Sequence, residues 1–304
     1  MEGKTVYMFP GQGSQSVGMR AKLGSMSSEQ KELFSAADYI LGFPLSALID
    51  DGPDEELTRT SNTQPALLVM GLAFGMALDA RGNRADLVMG HSLGEYTALA
   101  HGGVVDFKDA VRIVRMRGEL MERAVKSSPG TMAAVIGADR TGLEALVDEC
   151  AREGVIEIAN YNSPQQVVIS GETAAVSRAV EMINQGGSGK AVTLNVSAPF
   201  HSSLMKPAAE EFGRFLAGFE FRRPRVEFID NVTGLVESDP EEIRKKLVLQ
   251  LSSPVQWEQS MRTARDAGAA VFIESGPGTV LAGLAKRIVS GCKIMPGEKT
   301  ISEG

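Results

Sequence analysis

Apolar and polar positions follow two different rhythms along the chain. Thr5 to Phe9 is a short apolar run that reads as a buried strand, and it ends in the glycine-rich turn Pro10-Gly11-Gln12-Gly13-Ser14-Gln15. A polar stretch of helical character follows to about Ile49. In Thr60-Ser61-Asn62-Thr63-Gln64-Pro65, Thr63 is placed to cap the next helix, with proline in its first turn. The apolar run Pro65 to Ala80 reads as that helix, buried. Ala85 to Gly90 reads as a second strand, leading into Gly90-His91-Ser92-Leu93-Gly94-Glu95, and residues 93 to 101 as a helix. Lys108 to Lys126 is a long amphipathic helix.

Beyond Pro129-Gly130 the units shorten. A strand (Thr131–Gly137), a helix (Thr141–Arg152), two strands (Val155–Asn160 and Gln166–Ser170), a helix (Ala174–Gln185) and a strand (Ala191–Val196) give the order βαββαβ, the ferredoxin-like arrangement. The run Gln185-Gly186-Gly187-Ser188-Gly189 is a turn inside it. After about Ser197 the longer rhythm resumes, with strands near Val226–Asp230 and Ala270–Glu274. The expectation is an α/β fold: a large domain with a parallel sheet core (residues 1–128 and 197–304), interrupted by an inserted ferredoxin-like small domain (residues 129–196).

Composition narrows the function. Of 304 residues, 43% are apolar and 23% charged, an ordinary globular balance, and the net charge of -7 gives no general attraction to nucleic acid or anionic membrane. Basic clusters at Arg222, Arg223 and Arg225 and at Arg244, Lys245 and Lys246 read first as solvated surface. Two cysteines, Cys150 and Cys292, offer neither a disulfide framework nor metal spacing. The start of the chain does not read as a signal peptide, and Pro65–Ala80, broken by Gly71 and Gly75, reads as too short to span a bilayer. A reduced, cytoplasmic setting is the default expectation.

The chemistry centres on Gly90-x-Ser92-x-Gly94. At a strand-to-helix turn this pattern exposes a serine oxygen as a nucleophile. A serine nucleophile needs a base, and there are three histidines. His91 is adjacent to Ser92 and points away on a sharp turn. His101 lies nine residues along the following helix, roughly 13 Å away at the helical rise. His201 alone is left to approach from a distant segment. The backbone N–H of Leu93 is the expected first oxyanion donor, and that of Gln12, in the glycine turn, the second.

The helix Lys108–Lys126 carries a charge out of place. Ala110, Val114, Leu120, Met121, Ala124 and Val125 share one side, and Arg117 falls within that stripe. A buried guanidinium is costly without a partner. Either an internal carboxylate or a ligand anion meets it, and both stay open at this point. A ligand carboxylate would suit the arginine fork, and would mean an acyl group with a free acid at its far end.

Phe9-Pro10-Gly11-Gln12-Gly13-Ser14-Gln15, Gly90-His91-Ser92-Leu93-Gly94-Glu95-Tyr96, Arg117, Asn160-x-Asn162-Ser163-Pro164, Ser197-Ala198-Pro199-Phe200-His201, Gln250-x-x-x-Pro254-Val255-Gln256-Trp257 and Glu274-x-Gly276-Pro277-Gly278 together resemble the malonyl-CoA:acyl carrier protein transacylases of bacterial type II fatty acid synthesis. The resemblance spans nearly the whole chain. It implies a hydrolase-like α/β core with a ferredoxin-like insert. It implies Ser92 as nucleophile, His201 as general base and acid, an oxyanion hole from Gln12 and Leu93, and Arg117 on the malonyl carboxylate. Met121, Asn162 and Phe200 would line the substrate site, Phe200 favouring malonyl over methylmalonyl. Gln250 would orient His201 through its backbone carbonyl in place of a triad aspartate. The implied partners are malonyl-CoA and an acidic acyl carrier protein, with no metal or redox cofactor, and the chain is expected to be a monomer. Carrier docking is expected at the cleft between the domains, with Arg222, Arg223, Arg225 and Lys190 as candidates. Asn195 and Thr279 depart from the family pattern. A plain serine hydrolase would use the same turn without explaining Arg117, and a non-catalytic module would not need to retain both Ser92 and His201.

Overall fold

The apolar runs Val6-Tyr7-Met8-Phe9 and Leu87-Val88-Met89 are buried on both faces, as strands inside a parallel sheet must be. The structure, a computed structural model, describes residues 3–127, 129–187, 189–194, 196 and 198–302. Ser188, Asn195 and Ser197 lie outside the described residues, as does residue 128 at the expected domain boundary. The strands among the described residues are β1 (Lys4–Phe9), β2 (Leu87–Gly90), β3 (Thr131–Ile136), β4 (Ile156–Ser163), β5 (Gln166–Gly171), β6 (Lys190–Thr193), β7 (Glu227–Phe228), β8 (Ala269–Glu274) and β9 (Lys293–Pro296). Five form a sheet in the order β7-β2-β1-β8-β9, with every neighbouring pair parallel. Four form a separate antiparallel sheet in the order β4-β5-β3-β6.

Alternation of side chains divides the parallel sheet into two packed faces. Tyr7, Phe9 and Val88 join the core built on helices Thr60–Ala80, Leu93–His101 and Phe107–Ser127. Val6, Met8, Leu87 and Met89 join the core of helices Trp257–Asp266 and Val280–Ile288. The antiparallel sheet packs Ala133, Val135, Ile158 and Ile169 on helices Arg140–Cys150 and Thr173–Gly186. Two register shifts re-aim β4, one between Ile158 and Asn160 and one between Tyr161 and Ser163. Asn160 thereby lies opposite Val168, and Asn160, Asn162 and Val168 all line the cavity on the other face of the sheet. Backbone bonds from Val255 N–H to Ala159 O and from Tyr161 N–H to Val255 O, both 2.9 Å, stitch β4 to the segment before helix Trp257–Asp266.

Several boundaries differ from the sequence reading. Helix Thr60–Ala80 begins before Thr63, so Thr63 is not a cap; it is buried and its hydroxyl donates to Leu57 O at 2.6 Å. Pro65 sits inside the helix, where its missing N–H leaves the Ser61 carbonyl without a helical donor. Arg115 Nη1 supplies one at 3.1 Å, from another helix. At 21 residues this helix is long and apolar enough to cross a membrane, but its side chains are buried among neighbouring elements as a core helix. β7 is two residues long against an expected five, because it pairs with β2 alone at the edge of the sheet. The edge strand β9 was not foreseen: its positions are only partly buried and it ends in Pro296.

Helices Thr60–Ala80 and Phe107–Ser127 meet backbone to backbone at Gly118. A methyl group there would lie 2.7 Å from Ser61 Cα and 2.8 Å from the Thr60 carbonyl oxygen, both backbone. Gly283, in helix Val280–Ile288, has open space around it. Gly118→Ala should therefore destabilise by about 1–3 kcal/mol, while Gly283→Ala should stabilise by about 0.5–1 kcal/mol. Urea unfolding of both variants checks the opposite signs.

Candidate active site

Because the five strands run parallel, the loops after their carboxyl ends share one rim, where ligands bind in open α/β sheets. β2 ends at Gly90, and helix Leu93–His101 starts two residues beyond Ser92 Cα's neighbour His91, at Leu93. Ser92 sits between them with φ 51° and ψ −104°, a left-handed conformation that a side chain rarely adopts. The turn is this tight because two backbones touch. A methyl group on Gly90 would lie 2.0 Å from Gly94 C and O, and one on Gly94 would lie 1.9 Å from Phe9 O.

His201 reaches this turn from a distant segment, as elimination required. Its Nε2 lies 2.8 Å from Ser92 Oγ, and its Nδ1 lies 2.7 Å from the Gln250 carbonyl oxygen. A carbonyl only accepts, so Nδ1 carries the proton and Nε2 presents a lone pair to the serine hydroxyl. Burial, and secondarily the charge of Arg117, push the imidazole down to about 3. His101 is packed against the rings of Tyr7 and Phe9, and His91 Nε2 meets Asn162 Oδ1 at 2.8 Å.

Arg117 is 1% exposed. Its Nη2 donates to Ser92 Oγ at 3.1 Å and to Gln250 Oε1 at 2.9 Å; its Cζ lies 5.1 Å from the centre of the Tyr96 ring; Nε has no hydrogen-bond partner. Neither acceptor is a carboxylate. Glu95 comes near only through Gln250, whose Nε2 donates to it while Oε1 accepts from Arg117. Burial, and secondarily the charge of Asp230, push the Glu95 carboxyl up to about 8. Of the two partners left open for the guanidinium, the internal carboxylate is absent from its hydrogen-bond shell, and Arg117 lines a cavity.

That cavity, of about 340 Å³, lies between the rim of the parallel sheet and the antiparallel sheet. Ser92, Leu93, Gln12, His201, Arg117, Met121, Phe200 and Asn162 all line it; Gln250 is wholly buried behind them. Asn162 is engaged by His91, and Met121 Sδ by Gln64 Nε2 at 3.2 Å. Glu95 and Asn231 were missed by the sequence reading. Glu95 had a signal, a lone carboxylate in the otherwise apolar first turns of a helix, the same anomaly that singled out Arg117. The basic candidates for docking need correction. Arg222 and Arg225 bond by their backbone N–H groups to Val104 and Gly102, beyond the far end of helix Leu93–His101 from Ser92. The Arg222 side chain is taken up by Glu220 at 3.0 Å. Lys190 is exposed on the edge strand β6, and Thr279 precedes Val280, which lines the cavity.

A family model described as the acyl transferase domain matches residues 6–296. Over 284 residues the chain is 45% identical to the malonyl CoA-acyl carrier protein transacylase of Escherichia coli K12, covering 93% of this chain and 92% of that one. The relative of the same name from Bacillus subtilis is 44% identical over 286 residues, covering 94% and 90%. The crystal structure of an acyl carrier protein S-malonyltransferase from Vibrio cholerae superposes with a TM-score of 0.93 at 42% identity over 96% of each chain. A type II PKS acyl carrier protein in complex with its malonyl-transacylase gives 0.92 at 40% over 99% of each.

With the imidazole held down at about 3, the acid limb of Ser92 reactivity should lie well below the ordinary imidazole range. Removing the positive neighbour makes protonation easier, so Arg117→Gln should move that limb upward. The rate of labelling by a phosphonofluoridate, which needs no carboxylate recognition, measures it across the acidic range. An acid limb at the same pH in both proteins would show that Arg117 does not act on His201.

Proposed function

The chain belongs to the acyl transferase family and, within it, to the malonyl-CoA:acyl carrier protein transacylases, and from that premise we propose that Ser92 is the residue that carries the malonyl group and His201 the one that moves the proton. The enzyme transfers malonyl from coenzyme A to the carrier thiol through a malonyl-serine. One observation carries the residue assignment: a base and a guanidinium converge on the same hydroxyl, His201 Nε2 at 2.8 Å and Arg117 Nη2 at 3.1 Å from Ser92 Oγ.

In this reading malonyl-CoA enters the cavity with its free carboxylate on Arg117, among Met121, Asn162 and Phe200. Ser92 Oγ attacks the thioester carbonyl as its proton passes to His201 Nε2, and the Gln250 carbonyl fixes the tautomer from behind. The N–H groups of Gln12 and Leu93 receive the oxyanion; among the described residues neither has another acceptor. Collapse expels coenzyme A, which takes the proton back. The carrier's phosphopantetheine thiol then repeats the sequence in reverse on the malonyl-serine. Pairing with the substrate carboxylate also cancels much of the charge that depresses His201, so the base strengthens when the correct acyl group is bound. Residues 129–196 are read as a small domain set into a large one of residues 1–128 and 197–304. The enzyme is read as a cytoplasmic monomer whose carrier serves fatty acid synthesis, with Lys190 at the docking rim.

Mixed with malonyl-CoA alone, the protein should gain one malonyl group, mapped by mass spectrometry to Ser92 and abolished in Ser92→Ala; an adduct elsewhere sinks the assignment. His201→Ala should slow acylation by about 10²–10⁴-fold with the fold intact, and a variant as fast as the parent would point to another base. Arg117→Ala should lose malonyl transfer and keep or gain acetyl transfer, because sites built around a polar partner discriminate by up to roughly 10⁴–10⁵ against analogues lacking it. Arg117→Lys should rescue only in part, an ammonium having no fork. The check is kcat/KM with malonyl-CoA and acetyl-CoA, and a proportional loss for both would remove Arg117 from carboxylate recognition.

A further inference from the structure

The left-handed conformation of Ser92 has to be held by something, and the strands themselves do not hold it. The Ser92 N–H turns out of the β2 ladder, and its acceptor is Asn231 Oδ1 at 2.7 Å. The same amide donates through Nδ2 to Gly90 O at 2.7 Å. One side chain therefore bonds the residue that ends the strand and the residue that makes the turn. Asn231 is itself fixed on both backbone groups: its N–H donates to Glu95 Oε1 at 3.1 Å, and its carbonyl accepts from Gln256 N–H at 2.8 Å. It is 1% exposed and follows β7, the strand next to β2, so its place at the rim comes from sheet order. Gln250 Nε2 closes the ring, donating to Ser92 O at 2.9 Å.

We propose that Asn231 is a positioning residue for the reaction: by clamping Gly90 and Ser92 it sets where Ser92 Oγ stands relative to His201 Nε2. The proposal rests on the reading of Ser92 as the nucleophile. Asn231 is not among the residues that line the cavity, so it acts through the serine backbone and leaves Arg117 and the substrate pocket as they are. Loss of the clamp lets the turn relax, and a displacement of about 1 Å from productive geometry costs on the order of 10²-fold in rate. An aspartate in its place keeps an acceptor for the Ser92 N–H but donates to Gly90 O only when protonated. The charged or titratable groups around it are Glu95, Asp230 with its partner Lys246, and Arg117 across Gln250.

The test is single-turnover malonylation of wild type, Asn231→Ala and Asn231→Asp, followed by intact mass, with KM for malonyl-CoA and thermal unfolding measured on the same samples. Asn231→Ala should acylate about 10²-fold more slowly with KM little changed and the folded state retained. Asn231→Asp should recover towards the wild-type rate as pH falls, when both are compared at the same pH. If Asn231→Ala fails to fold, the aspartate variant decides alone: a rate that tracks wild type in parallel at every pH overturns the proposal. So does an alanine variant as fast as wild type, or one whose loss appears in KM. If wild type is malonylated somewhere other than Ser92, the nucleophile reading falls and the clamp falls with it; if wild type labels Ser92 and the variants label equally fast, the clamp alone falls.

Discussion

A serine held at φ 51° between a parallel strand and a helix is the constraint from which the rest of the site follows. It puts Oγ outside the sheet, at the rim where the strand ends converge. It also requires backbones so close that neither Gly90 nor Gly94 has room for a methyl group. Such a conformation costs of order 1–3 kcal/mol and persists where its surroundings over-determine it. Here the surroundings are polar and buried. Asn231 bonds both sides of the turn and Gln250 Nε2 bonds the Ser92 carbonyl.

Gln250 joins the two halves of the site. Its carbonyl sets the tautomer of His201, its amide oxygen takes one N–H of Arg117, and its amide nitrogen meets Ser92 and Glu95. A direct Glu95–Arg117 ion pair would occupy the guanidinium fork. With the amide between them, Arg117 bonds Gln250 rather than the Glu95 carboxyl, and it lines the cavity. Burial, and secondarily the buried cation beside it, favour the neutral form of the His201 imidazole. The same cation donates to the Ser92 hydroxyl.

The cavity is a product of two sheets. The parallel sheet brings Ser92, Leu93 and Gln12 to it from its rim. The antiparallel sheet supplies a wall through Met132, Ala134, Asn160 and Val168.

Local chemistry was legible in the sequence. The apolar runs marked most of the strands, the glycines around Ser92 marked the turn, three histidines left His201 as the one free to reach Ser92, and an arginine on an apolar stripe marked a charge awaiting a partner. Those features depend on residue type and short-range spacing, which the chain carries by itself. The partners were not legible, because they are set by strand order and register. Asn231 meets Ser92, 139 positions away in the chain, only because β7 lies beside β2. Asn160 and Asn162 would follow Ile158 to the helix side of their sheet by simple alternation, and it is the shifts in β4 register that bring them to the cavity. Helix Thr60–Ala80 runs through the stretch read as its cap because Arg115, from another helix, satisfies the carbonyl that Pro65 leaves open. The sequence determined which groups are able to react; tertiary packing decided which of them meet, since hydrogen bonds across the fold satisfy backbone and side-chain groups that no local pattern can pair.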